Sequence, residues 1–340
     1  MLSPKTLNRV VVVTGASAGV GRAVAHRFAC AGDRVGLIAR DASALEDVKQ
    51  ELEAAGAAGA NLAAEAVDVA DDAALFAAAE RLEAKLGKVD LWINDAMETV
   101  FSPLVEMTPA EFRRVTEVTY LGFVHGTMAA LKSMRPRGRG RIIQMGSALA
   151  YRGIPLQSAY CGAKHAIRGF TNSVRTELLH EGSGVSICIV DLPAVNTPQF
   201  DWARVHISRQ PRPMGRPIEP EVVADAVYRA AQGSWREYWL GAPTLETIIA
   251  NTVLPGFLDR YLARKAVAGQ QTDKIVRPDR RDNLDRPVTP LHRTRGSFSD
   301  EAGEWSILVP GPLVRLGVVA AGALAFLALG VAVGEAARRR

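Results

Sequence analysis

Arg9-Val10-Val11-Val12-Val13 runs straight into Thr14-Gly15-Ala16-Ser17-Ala18-Gly19-Val20-Gly21, and that stretch passes into Arg22-Ala23-Val24-Ala25-His26-Arg27-Phe28-Ala29. A short apolar run of β-branched residues predicts a strand buried on both faces, as in a parallel sheet. The segment after the glycines is helical in pattern. Strand, glycine-rich turn and helix in that order make an anion cradle: backbone N–H groups approach a pyrophosphate, and the helix N-terminus adds positive potential. Gly15, Ser17, Gly19, Val20 and Gly21 are the candidate ligand-binding residues of this turn. A tight turn with no ligand is the plainer alternative, and the strand-to-helix context argues against it.

The chain downstream keeps alternating. Arg34 to Ala39 reads as a second strand ending at Arg40, Asp41 to Gly56 as a helix with Leu45, Val48 and Leu52 on one stripe, and Asn61 to Val67 as a third strand. Asp71 caps a helix to Leu86, Val89 to Ile93 is a fourth strand, and Thr108-Pro109-Ala110-Glu111 has the form of a capping box opening a helix to about Met134. Arg141 to Gly146, Pro220 to Gln232 and Arg236 to Gly241 continue as strand, helix and last strand. This order predicts a parallel sheet with helices on both faces and a ligand crevice at the carboxyl ends of the strands. At the end of the second strand an acidic residue bonds a ribose 2′-hydroxyl, whereas an arginine accommodates a 2′-phosphate. Arg40 therefore points to NADP(H), with NAD(H) as the alternative because Asp41 stands beside it. Asp68 either touches the adenine edge or begins the next loop.

Tyr160 and Lys164 are four residues apart, so on a helix they share a face. A phenol with an ordinary pKa near ~10 is a poor base at neutral pH, and a nearby ammonium favours its ionised form. The pair is thus a candidate acid/base at a substrate oxygen. Ser147, thirteen residues upstream at the end of a strand, could hold the same oxygen. A solvated Tyr–Lys pair is the common alternative for this spacing in isolation.

Several motifs together resemble the short-chain dehydrogenase/reductase family over Asn8 to Gly241. Thr14 to Gly21 is similar to the family's TGxxxGxG turn, and Ser147, Tyr160 and Lys164 are similar to its catalytic serine and YxxxK pair. The resemblance implies a doubly wound Rossmann fold and hydride transfer between a nicotinamide and a carbonyl or secondary alcohol. In it Tyr160 would exchange the proton, Lys164 would lower the Tyr160 pKa and hold the ribose, and Ser147 would orient the oxygen. It further implies that Asp68 contacts adenine, that Asn94 and Ala96 border the cofactor, and that Pro193, Val195 and Thr197 face the nicotinamide, Thr197 at its carboxamide. Two departures stand out. Asn94-Asp95-Ala96-Met97 replaces the family's Asn-Asn-Ala-Gly, and Thr119 stands at its catalytic asparagine. They favour, as a rival from another class, a cofactor-binding regulatory or scaffold protein with little turnover. An NAD-linked alcohol dehydrogenase is the rival within enzymes.

The remainder sets bounds. The chain has 340 residues, 48% hydrophobic and 23% charged, ample for a large core. Its net charge of +5 comes without zinc-finger spacing or aromatic-basic interleaving, so no nucleic-acid partner is expected. Three widely spaced cysteines suit a reducing compartment, and no metal site is expected. Met1 to Asn8 is short and polar, so no secretory signal is expected. Phe200 to Pro217, rich in arginine and proline, is expected to be a substrate lid whose basic residues favour an acidic substrate or are simply solvated.

Residues 1–241 are expected as the catalytic domain and 242–268 as a helical extension that lines the pocket, meets a partner subunit or lies on a membrane. Residues 269–307 are expected as a polar linker and 308–340 as an anchor helix with a basic tail. Leu316 to Gly334 carries no charge over nineteen residues, close to the ~20 that cross a bilayer, although ten of them are Ala or Gly. Small-residue pairs there could seat another helix. A membrane-associated protein is expected, its catalytic domain in the cytoplasm with its cofactor, against the arginine tail's preference for that side. The expected partners are a small, hydrophobic carbonyl or alcohol substrate, a lipid-like one suiting a membrane anchor, and a second copy of the chain in a homo-oligomer.

Overall fold

The structure is a computed structural model that describes residues 8–323. Its centre is a sheet of eight strands: β1 (Val10–Thr14), β2 (Arg34–Ala39), β3 (Leu62–Ala66), β4 (Leu91–Asn94), β5 (Gly140–Met145), β6 (Val185–Asp191), β7 (Glu237–Leu240) and β8 (Leu308–Pro310). They lie in the order β8-β7-β6-β5-β4-β1-β2-β3. All pairs are parallel except the last, where β8 runs antiparallel to β7. The doubly wound parallel sheet is therefore present, with one edge strand from the chain's end that the sequence pattern did not announce.

The four valines of β1 are fully buried, and their alternation shows why the run is continuous rather than amphipathic. Val11 and Val13 enter the core beneath α1 (Gly19–Ala29), α2 (Ala42–Ala54) and the helix Pro220–Gln232. Val10 and Val12 enter the opposite core beneath α3 (Asp72–Leu86), α5 (Gly122–Met134) and α6 (Ser158–His180). Both faces of the strand are covered, so both residue parities must be apolar.

The helix opened by the Thr108 capping box does not run unbroken to Met134. It proceeds as α4 (Pro109–Thr116), a π-helical turn at Glu117–Leu121, then α5. Such bulges concentrate at functional sites. Helices Ala242–Val253 and Pro255–Gly269 follow the core. The stretch expected as a polar linker pairs Gln271–Ile275 with Arg209–Pro211, then buries Leu284 against Val100, Met107, Val115 and Ala159. The uncharged candidate span lies only partly among the described residues, and among those no helix is long and apolar enough to cross a membrane.

The strand order reverses between β1 and β4, and there the chain packs too closely for side chains. Gly15 has φ +72° and a Cβ on it would lie 2.9 Å from the Ala96 backbone. A Cβ on Gly21 would lie 2.3 Å from the Gly15 carbonyl oxygen. Gly21→Ala is therefore expected to destabilise the fold: overpacking costs about 1–3 kcal/mol against a helix-propensity gain of up to about 1. A lower urea midpoint at unchanged slope checks this, and an equal or higher midpoint refutes it.

Candidate active site

A cavity of about 530 Å³ opens along the carboxyl ends of the strands. Gly15, Ser17, Gly19, Val20, Arg40, Asp68, Ala96, Ser147, Tyr160, Lys164, Pro193, Val195 and Thr197 all line it. Three expected site residues do not. Gly21 sits behind the turn as packing. Asn94 is fully buried, bonded to Trp92, Thr127 and Gln144. The Thr119 hydroxyl is spent on Glu98, accepting its N–H at 2.9 Å and donating to its carbonyl at 2.9 Å.

The cofactor half of the cavity is built on α1. Gly19 has φ +56°, and a Cβ there would meet Thr197 at 3.2 Å, so the turn and the segment after β6 close to a narrow slot. First-turn N–H groups of a helix lack intrahelical partners, and Val20, in that first turn, lines this slot. The glycine turn has the form of a pyrophosphate cradle, with the Gly19 N–H already donating to the Arg293 carbonyl at 3.0 Å. Arg40 reaches Glu98, with further bonds to the carbonyls of Asn283 at 2.6 Å and Leu284 at 3.2 Å. Burial pushes Glu98 up to about 8, against the charges of Arg40 and Arg114. The Asp68 carboxylate takes Arg114 at 2.5 Å and the Ala70 N–H at 3.0 Å.

The candidate catalytic half comes from β5 and α6. Ser147 follows β5, half-buried Tyr160 and buried Lys164 share one face of α6, and the Lys164 Nζ donates to the Met145 carbonyl at 2.7 Å. Burial pushes Tyr160 above its ordinary value, and its hydrogen bond with Ser147 works against that shift. This differs from the expectation that Lys164 lowers the phenol's pKa. Desolvation dominates, and burial also lowers the Lys164 pKa, while the Asp95 and Asp191 charges work to raise it. Burial raises Asp95 in turn, opposed first by Lys164.

Sequence reasoning missed how Asp191 holds Ser147. Asp191 is buried at the end of β6 and accepts the Ser147 N–H at 3.2 Å; a Cβ on Gly146 would strike its carboxylate at 2.2 Å. Its signal was a charge ending an otherwise apolar strand. The substrate end is apolar: Leu149, Ile154, Met214, Leu258 and Leu262 line it, the last two from the helical extension. The lid segment contributes Phe200 and Trp202. Its basic residues face carboxylates: Arg204 takes Asp282 and Asp285, His206 takes Glu111, and Arg212 takes Glu301.

The profile of the short chain dehydrogenase family matches residues 9–204. The chain is 31% identical to the uncharacterized oxidoreductase YxnA of Bacillus subtilis, over 81% of this chain and 77% of that one. It is 31% identical to dehydrogenase/reductase SDR family member 7B of Bos taurus, over 76% and 82%. A metagenomic short-chain oxidoreductase solved with NADP superposes with a TM-score of 0.57 at 29% identity, covering 68% of this chain and 95% of that one. The protein belongs to the short-chain dehydrogenase/reductase family, and it is an oxidoreductase of the alcohol/carbonyl type that uses a nicotinamide cofactor.

Asp95→Asn removes a charge that holds the Lys164 ammonium protonated. Lys164 then loses its proton at lower pH, so the alkaline limb of the kcat/KM profile should move downward. A profile that stays in place or moves upward refutes the coupling.

Proposed function

We propose that the protein reduces a hydrophobic ketone or aldehyde with NADPH. The observation that carries this reading is one cavity holding Ser147, Tyr160 and Lys164 at the mouth of an apolar chamber, with the glycine turn and Arg40 at its other end. When bound, the cofactor supplies the hydride. The residues supply alignment and the proton. Ser147 donates a hydrogen bond to the substrate oxygen and orients the carbonyl. Tyr160 gives that oxygen its proton. Burial raises the phenol's pKa, so at neutral pH Tyr160 carries the proton that reduction requires. Lys164 supplies positive charge beside the phenolate that results. Thr119, inside the π-helical turn, fixes the backbone at Glu98 rather than entering the chamber.

Arg40 supports NADP(H) over NAD(H), as does the NADP in the metagenomic neighbour. The apolar lining from Leu258 and Leu262 supports a hydrophobic substrate, and the pairing of the lid arginines weighs against an acidic one. Membrane attachment through 316–334, with the catalytic domain in the cytoplasm, and a homo-oligomeric state are carried in this reading as sequence-based proposals.

The test is titration with NADPH and NADH by nicotinamide fluorescence, followed by a panel of apolar ketones and aldehydes. Tight NADPH binding with turnover supports the reading; binding of neither dinucleotide overturns it. Tyr160→Phe should lower kcat by at least about 10²-fold with cofactor affinity nearly unchanged, and a variant that keeps its rate removes Tyr160 from the chemistry. Arg40→Asp should shift the ratio of affinities from NADPH toward NADH, and an unchanged ratio removes Arg40 from cofactor choice.

A further inference from the structure

Residues 283–298 do not hang free beyond the catalytic core. They cross the crevice from one bank to the other. On the first bank the Gly19 N–H donates to the Arg293 carbonyl at 3.0 Å, and Arg22 donates to the His292 carbonyl at 3.3 Å. Arg40 holds the carbonyls of Asn283 and Leu284, and the Thr289 hydroxyl donates to Asp41. On the second bank the Gly296 N–H donates to the Asn196 carbonyl at 3.0 Å, and the Phe298 N–H to the Asn196 side chain at 3.0 Å. Arg293 and Ser297 both bond Asp201, at 2.5 and 2.8 Å. The groups on the first bank belong to the first turn of α1 and to the β2–α2 turn, and the acceptors on the second belong to the segment after β6. These are the two walls between which the dinucleotide lies in the reading above.

The segment roofs the cleft rather than filling it. Asn283, Pro287 and His292 line the same continuous cavity as Val20, Asp68 and Ala96. His292 is the informative side chain. Its ring stands edge-on to Trp202, 5.2 Å between centroids, and its side chain is only 8% exposed. Its Nδ1 is buried without a hydrogen-bond partner, 3.4 Å from the Asp41 carboxylate in poor alignment. An orphaned polar atom in a buried place costs stability unless something else satisfies it. Burial also lowers the His292 pKa, which keeps the ring neutral.

We propose that residues 283–298 are the roof of the cofactor site: the strap closes over the bound dinucleotide, offers it the His292 imidazole, and lifts to let it exchange. The proposal rests on the nicotinamide reading of the cleft. His292 lines the cavity beside Asp41, with Arg22 and Arg40 near it, so the part of the dinucleotide it meets is the ribose-phosphate portion; its Nδ1, enclosed against Asp41, is not the contacting atom. Tight bonding on both banks makes exchange of the cofactor slow relative to an open crevice.

Two measurements on the full-length protein test it. The first is limited trypsin cleavage after Arg295, with and without NADPH. The second is the rate of NADPH release in stopped flow, displaced by excess NADP⁺. NADPH should slow cleavage, and the double variant Arg293→Ala/Ser297→Ala should release NADPH about tenfold faster, since it severs two bonds to Asp201, one of them charged. Gly296→Val opens the strap by a second route, because a Cβ there would lie 2.5 Å from the Thr197 carbonyl oxygen. His292→Ala should weaken NADPH binding while leaving cleavage of the cofactor-free protein unchanged. Equal cleavage and equal release in all forms overturn the proposal. If neither dinucleotide binds, yet Gly296→Val is cut faster than the unmodified protein, the strap is seated and the nicotinamide reading has failed, and the roof's role fails with it.

Discussion

The close approach of the first glycine turn to the end of β4 is the constraint on which the site depends. Gly15 lies against the Ala96 backbone, and Gly21 against Gly15, with no room for a side chain at either. That contact brings α1 onto the sheet at the point where strand order reverses, and so creates the crevice. It also forces whatever follows Asn94 into the floor of the site. Here that residue is Asp95, whose Oδ2 lies 3.0 Å from a Cβ built on Gly21. The glycine turn and Lys164 consequently share one electrostatic environment, with Asp95 facing both.

Burial, more than pairing, sets the acid–base character of this centre. It raises Tyr160, Asp95, Asp191 and Glu98 and lowers Lys164. A desolvated phenol beside a desolvated ammonium disfavours both charged forms, so each ionisation draws on the neighbours that remain charged. Asp191 illustrates how geometry and charge combine. It fixes the Ser147 backbone through a hydrogen bond and simultaneously supplies a negative field to Lys164. Serine orientation and lysine protonation thus pass through one carboxyl group.

What the sequence disclosed follows from how local its signals are. β1, the glycine turn and the Tyr160–Lys164 spacing are read within a few residues, because strand burial and helix periodicity act over that range. The motif resemblance then joined Ser147, Asp68 and Thr197 to one cleft, and the structure places all three along its wall. Thr119 was different. Its place in the motif order was readable, but its hydroxyl turns to the Glu98 backbone, a contact that depends on the packing of the loop after β4. The 269–307 stretch was opaque for a related reason. Polar, arginine-rich and without period, it has the composition of a free linker. Its order comes from partners far away in sequence, such as Asp201 for Arg293 and Asp41 for Thr289, which no window along the chain contains.

The C-terminal third therefore divides its work by polarity. The helices Ala242–Val253 and Pro255–Gly269 deliver apolar side chains such as Ala250, Leu258 and Leu262 to the substrate end of the cavity. The polar strap delivers backbone carbonyls and one imidazole to the cofactor end. The antiparallel strand β8 then returns to the sheet edge beside β7, pinning the strap at its far side. The Rossmann core supplies a reaction centre common to many chemistries, since fold alone fixes neither substrate nor exchange rate. In this chain the segments after residue 241 add to both ends of the same cleft, Leu258 and Leu262 at one and the 283–298 strap at the other.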